Sequence, residues 1–336
     1  MPDLDEDTLR HLMARATQDL VAPRAAATSA IKRQRRHRTR LRVTAVAGAA
    51  AAAGLAAGIV VPAVGHSTPV PKTTPSTTPV RLTAAQRALF ALSEAAAKTP
   101  RPGGRYVVLT EQATSIDPNG TTAPTKEAGG KTSVIDTVTG GGLEYQDVTI
   151  TNADGTPVPP AVLTAPPGSS PTRAQLDAMP TGPQALRAAL LKQAEQQQAQ
   201  AQRAMQAIMK RAGKKAYPVP KSSPRPESAD DLVFEQAADL LWEPDLSPAL
   251  RSALYKVLAA TPGVRVRVGV TDSSGRPATE ISRRNSVAGD VAETFEDPAS
   301  GRTLESAWVG PGESLSEDLY QSIHYTDAIP PNPYKP

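Results

Sequence analysis

Asp231, Glu235 and Asp239 stand four residues apart in a segment that reads as helical. On a helix that spacing stacks the three carboxylates on one face, where they could hold a cation. The competing reading is a solvated face. Leu232, Val233, Phe234, Ala237, Leu240 and Leu241 form the apolar side, and Asp231 would then compensate the helix N-terminus. The other chemistry-bearing types are scarce. The chain has no cysteine, which removes disulfides, thiolate catalysis, Cys-ligated zinc and lipidation through a lipobox cysteine. Of its four histidines only His324 lies beyond the first 80 residues, so no His pair can bind zinc and no His-based triad can form there. Gly140-Gly141-Gly142 is followed by no Lys-Ser/Thr and opens no helix, so it reads as a turn rather than a phosphate loop. No Gly-x-Ser-x-Gly occurs. No catalytic, cofactor-binding or metal-ligating residue is assigned, and the expectation is a protein that is not an enzyme.

The elements around those carboxylates are legible from caps and periodicity. Ser228 begins their helix, with Asp231 at capping-box distance and Pro244 beyond its end. Ser247-Pro248 begins the next helix, with Leu250, Leu254, Val257 and Leu258 inward, and Thr261-Pro262-Gly263 stops it. The two form a helical hairpin. Earlier, Thr83 and Gln86 have capping-box spacing, and a helix runs to about Lys98. A long helix is expected from Pro183 to Ala212, rich in Gln and Ala at its middle, with Lys210, Arg211, Lys214 and Lys215 marking its C-terminus. Alternation predicts strands at 105–112, 132–139, 143–151, 264–270, 278–286, 291–297 and 303–309. Val264, Val266, Val268 and Val270 should line one buried face, and Trp308 should pack in the sheet. Residues 156–171 are Pro-rich and read as a loop. The expected fold class is α+β: an antiparallel sheet, able to curve into an open half-barrel, packed with the helical hairpin.

The first 80 residues are of another kind. Val43–Val64 is an uncharged run of 22 residues holding ten Ala and three Gly. As a helix it would extend about 33 Å, enough for a bilayer core of about 30 Å. Its seven Val, Leu and Ile residues contribute only about −3 kcal/mol to insertion, so its flanks matter. The flank on the N-terminal side, residues 32–42, carries seven Lys/Arg. That pattern predicts a single-pass signal-anchor with the N-terminus in the cytoplasm and the C-terminal domain outside. Residues 65–80 hold seven Ser/Thr and four Pro, the composition of an extended stalk. The resulting organisation is a cytoplasmic arm at 1–42, the transmembrane helix at 43–64 and the stalk at 65–80. An extracytoplasmic domain follows at 81–309, with flexible inserts near 152–171 and 213–227, then a loosely ordered tail at 310–336.

Charge supports this division. Residues 1–80 carry 11 Lys/Arg against five Asp/Glu, whereas the remainder carries 26 against 28. The basic balance belongs to the arm and is no argument for nucleic-acid binding. Within the arm, Leu9, Leu12, Met13, Ala16 and Leu20 are spaced for a short amphipathic helix behind Asp3, Asp5, Glu6 and Asp7. Such a helix could dock a cytoplasmic partner such as a sigma factor.

Two longer stretches carry a resemblance. Val233-Phe-Glu-Gln-Ala-Ala-Asp-Leu-Leu241 and Ser247-Pro-Ala-Leu-Arg-Ser-Ala-Leu-Tyr-Lys-Val-Leu-Ala-Ala-Thr-Pro-Gly-Val264 resemble a family of uncharacterised, single-pass, membrane-anchored actinobacterial proteins. Met179-Pro-Thr-Gly-Pro-Gln-Ala-Leu186 is similar to that family's helix entry, with Gly182 where an acid is usual, and Asp297-Pro-Ala-Ser-Gly-Arg302 to its hairpin turn. The resemblance implies an extracytoplasmic domain and brings no activity with it. The order of elements also resembles the lipoprotein-carrier fold, a half-barrel capped by helices. The functional expectation is an envelope protein that binds or senses a ligand, with a lipid or other apolar molecule as one candidate. An anti-sigma-like signalling protein whose arm binds a partner is the alternative, and an envelope hydrolase a further one. No cofactor is expected, and the partners are the bilayer through Val43–Val64, an apolar ligand outside and a cytoplasmic protein inside.

Overall fold

The computed structural model describes residues 82–117, 125–150, 161–212, 227–310 and 315–331. The arm, the span Val43–Val64, the stalk and most of the insert at 213–227 lie outside the described residues. Among those described, no helix is long and apolar enough to cross a membrane.

The chain forms α1 (Ala84–Lys98), β1 (Tyr106–Asp117), β2 (Thr125–Asp136), β3 (Gly142–Ile150) and β4 (Ala161–Ala165). It continues with α2 (Arg173–Asp177), α3 (Pro183–Ala212), α4 (Ala229–Leu241) and α5 (Pro248–Ala259). The last elements are β5 (Arg265–Thr271), β6 (Pro277–Arg284), β7 (Val291–Glu296), β8 (Thr303–Val309) and β9 (Leu315–Thr326). The strands make one nine-stranded sheet in the order β4-β3-β2-β1-β9-β8-β7-β6-β5, antiparallel throughout and open at both ends. The architecture is α+β, with the helices gathered on one face.

The caps read from the sequence are present. Thr83 and Gln86 close a reciprocal capping box at the start of α1, Ser228 and Asp231 do so at α4, and Ser247 caps α5 with Pro248 behind it. Each satisfies N–H groups that a helix start leaves open. α1 lies along α5, where Ser93 Oγ meets Ser252 Oγ at 2.8 Å and accompanies Ala96 and Ala253 in letting the backbones approach. The main core joins Leu89 and Leu92 of α1, Leu186 and Leu190 of α3, Phe234 and Leu241 of α4, and Leu250, Leu254 and Leu258 of α5 to Ile281 of β6.

Three departures from the sequence reading reshape the sheet. Residues 315–326, expected in a loose tail, form a 12-residue strand lying between β1 and β8. The register slips at Thr110/Glu111, so that Glu111 faces Tyr320 and Thr110 faces Ser322. Gln321 is therefore the extra residue of a bulge, and the inward series Tyr320, Ile323, Tyr325 breaks its period of two between Tyr320 and Ile323. Second, β5 has no continuous buried face. Val264 and Val266 pack on the helical core, but the register breaks between Arg267 and Val270, and Val268 is 66% exposed. Third, the Pro-rich loop contains β4, bracketed by Pro159-Pro160 and Pro166-Pro167. A short, Pro-flanked edge at β4 and a bulged, Arg-bearing edge at β5 both discourage pairing with another sheet.

Candidate functional site

The three carboxylates of α4 do not converge. Asp231 is only 2% exposed and is committed to holding the fold. Its Oδ2 accepts from Ser228 Oγ at 2.7 Å and from the Ser286 hydroxyl, while Oδ1 accepts from Arg283. Burial alone would raise the Asp231 carboxyl. The Ser286 and Ser228 hydroxyls and the Arg283 guanidinium outweigh it and hold the carboxyl below the usual range. Glu235 accepts from Asn285 Nδ2 at 3.1 Å, and Asp239 is exposed. Among the described residues no group of three His, Cys, Asp or Glu is placed to hold a metal. Asp231 is the capping-box residue that its spacing from Ser228 predicts, but it stands on neither a cation site nor a solvated face: it is buried and ties α4 to the β6–β7 turn.

A second polar centre lies where α4 and α5 meet the sheet, and none of its members was singled out by sequence. Tyr255 and Glu296 are both 0% exposed. The Tyr255 hydroxyl lies 2.9 Å from Glu296 Oε2 and 2.8 Å from the Gly301 carbonyl. Thr303 Oγ1 lies 2.9 Å from the same Oε2 and 3.0 Å from the Leu241 carbonyl. Two hydroxyl hydrogens cannot fill these four oxygen–oxygen contacts. A protonated Glu296 supplies a third. Burial pushes the Glu296 carboxyl up to about 7, against the Thr303, Tyr255 and Thr294 hydroxyls, which favour the ionised form. Burial likewise drives the Tyr255 phenol upward, with the Glu296 charge adding to it.

The connection from α4 to α5 is gripped from several sides. Arg251, buried, donates to the carbonyls of Leu241 (3.4 Å), Glu243 (3.3 Å) and Pro244 (3.4 Å). Tyr320 OH donates to the Trp242 carbonyl and Tyr325 OH to that of Pro244, both at 2.7 Å. Arg173 takes both oxygens of Asp245 at 2.9 Å. Trp242 stacks on Tyr320 with centroids 3.8 Å apart. Turn residues that would otherwise bury open carbonyls are thereby satisfied.

An acid near pH 7 is what general catalysis uses, but reactivity also needs access. Glu296 lines neither of the two best-formed cavities. Those cavities have volumes of about 10 Å³ each. One lies over Arg251, Arg302 and Thr303, the other beside Asp231, Glu235 and Trp308. On the opposite sheet face, burial raises Glu293 and Glu305, and neighbouring carboxylates add to both shifts, yet Glu305 accepts the Ser273 N–H at 2.7 Å. Lys131 bridges Glu111 and Glu144 at 3.3 Å each. His324 sits in register with Val108 on β9. What these groups do is join elements, and the two cavities are too small for an organic substrate.

No protein-family model and no curated protein matches this chain. Among solved structures, similarity is found to a crystal structure of MucB in complex with MucA(peri). That match has 13% identity and a TM-score of 0.26, covering 73% of this chain and 57% of the other. A second is a complex of Pseudomonas aeruginosa MucA and MucB, at 12% identity and a TM-score of 0.23, covering 73% and 59%. The chain thus spans less than two thirds of the chains it matches.

Proposed function

We propose that this chain is a single-pass envelope protein, anchored by Val43–Val64, whose α+β domain lies outside the membrane and binds a macromolecular partner across its surface without catalysing a reaction. The observation that carries this reading is the small size of the two best-formed cavities. The two best-formed cavities hold about 10 Å³ each, against about 300 Å³ or more for a small-molecule pocket. Neither cavity has room for an enclosed lipid or other apolar ligand. The buried carboxylates Asp231 and Glu296 are engaged in fold-holding bonds. The anchor and its orientation rest on the uncharged run and on the seven basic residues before it.

Two experiments test this reading. Protease added to intact spheroplasts should digest residues beyond 81 and spare the arm, and a protected C-terminal domain would reverse the orientation. Native mass spectrometry of the purified full chain should show no retained lipid inside the domain. A stoichiometric lipid that survives removal of detergent would replace surface binding with ligand carriage.

A signalling role for the arm is a second reading, favoured by the amphipathic spacing of Leu9, Leu12, Met13, Ala16 and Leu20. Residues 1–42 alone should then retain one specific cytoplasmic protein, and a L12D variant should release it.

A further inference from the structure

The cavity beside the α4–α5 connection is lined by Leu241, Trp242, Glu243, Pro244, Arg251, Arg302, Thr303, Tyr320 and Ile323. Two of its lining residues are arginines. Arg251 is 6% exposed, and the partners it finds are three carbonyls at 3.3–3.4 Å. Guanidinium contacts to an anion are shorter, about 2.7–2.9 Å. Arg302 reaches the Pro100 carbonyl at 3.5 Å. Among the described residues, neither arginine has a carboxylate within ion-pairing distance.

Two nearby acids are engaged with other groups. Asp245 is taken by Arg173 at 2.9 Å and approached by Arg101 at 3.7 Å. Glu296 is bonded to the Tyr255 and Thr303 hydroxyls. Glu243 lines the cavity and accepts from Arg251 through its carbonyl. A buried guanidinium such as that of Arg251 is costly unless a negative charge sits near it, and a neutral water supplies none.

We propose that this cavity is a binding site for one small monovalent anion, held by Arg251 and Arg302. Its volume of about 10 Å³ matches a single water-sized particle. A halide fits, as does one oxygen of a small carboxylate such as formate, whereas a divalent oxyanion with four oxygens does not. The stacked Trp242 and Tyr320 and the apolar Ile323 supply the remaining wall, which strengthens the field of both cations. The bound anion would fix the turn between α4 and α5 from the side that carbonyls alone cannot.

The test uses the full chain in neutral detergent, with heat-unfolding midpoints measured in sodium chloride, bromide, formate or sulfate. Ionic strength is held constant with sodium gluconate. Chloride and bromide should raise the midpoint with saturation, as expected for a ligand that binds the folded state. Formate matching them would identify the source as small carboxylates as well as halides, and sulfate should give no saturable effect. R302Q, which loses only the Pro100 contact, should weaken the halide dependence about tenfold. Bromide anomalous scattering should place the ion between Arg251 and Arg302. No saturable dependence in the natural protein, or the same dependence in R302Q, would overturn the site.

Discussion

Tyr255 of α5 and Glu296 at the end of β7 are both sealed from solvent and meet at 2.9 Å across 41 residues of chain. This contact joins the helical layer to the sheet, and its protonation state sets how the fold responds to pH. Glu296 is raised from an ordinary 4.5 to about 7 in the folded protein. In the unfolded chain it ionises near its ordinary value. Its contribution is therefore fully present below about 4.5 and is lost as pH rises through about 7, a change on the order of 3 kcal/mol. Urea midpoints at pH 4.5, 6 and 8 should fall more steeply in the natural protein than in E296Q. Parallel slopes would show that Glu296 is ionised when folded.

The hydroxyls around that carboxyl should act as a unit. Y255F and T303V each remove one buried partner, and each should cost about 1–3 kcal/mol. Because both bond to the same Glu296 oxygen, the double variant should cost less than the two single costs together. Strict additivity in denaturant titrations would separate them.

Gly301 turns the chain into β8 with φ +61°, against the helices. A Cβ there would stand 2.9 Å from the Leu92 carbonyl oxygen, 3.0 Å from Ala96 Cβ and 3.2 Å from Tyr255 Cε2. Gly275 has φ +82° but nothing within 4 Å of a Cβ. G275A should therefore show only the backbone cost of about 1 kcal/mol, while G301A adds overpacking of about 1–3 kcal/mol. Equal losses in thermal melts would remove Gly301 from the helix–sheet contact.

Asp231 titrates in the opposite sense from Glu296. Its folded carboxyl is lowered, so its contribution is present above the unfolded value of about 3.8 and is lost as pH falls through the lower, folded one. D231N leaves the largely covered Arg283 without its charge partner and should cost about 3 kcal/mol at pH 7. The deficit should shrink in acid, and hydrogen exchange should quicken first at the start of α4. A deficit that grows below pH 4 would contradict the assignment.

The helices were legible because their signals are local. Thr83/Gln86, Ser228/Asp231 and Ser247-Pro248 each announce a start within four residues, and the apolar stripes follow. α2 was missed, although Thr172 and Gln175 form the same box, because five residues show no periodicity. The polar centre was missed for a different reason. Glu296 has the strand parity of inward-facing Ala292 and Thr294, which is a readable signal, but its partners Tyr255 and Thr303 are joined to it only by folding. Asp231 looked like one carboxylate of three because its distinguishing partners, Arg283 and Ser286, lie more than fifty residues away.

β9 is the sharpest test of what the sequence hid. Read as a tail, residues 310–336 could be deleted at little cost. In the fold, β9 occupies the position between β1 and β8, and its Tyr320 and Tyr325 hydroxyls hold the carbonyls of Trp242 and Pro244. Deleting it would leave two interior strands as bare edges and expose Val107 and Leu109, which pack against Tyr320. A chain ending at Gly310 should show no cooperative thermal transition and should aggregate, whereas Q321A, at the exposed bulge position, should melt within about 0.5 kcal/mol of the natural protein. A truncated chain that melts cooperatively would mean that β1 and β8 close the sheet without β9.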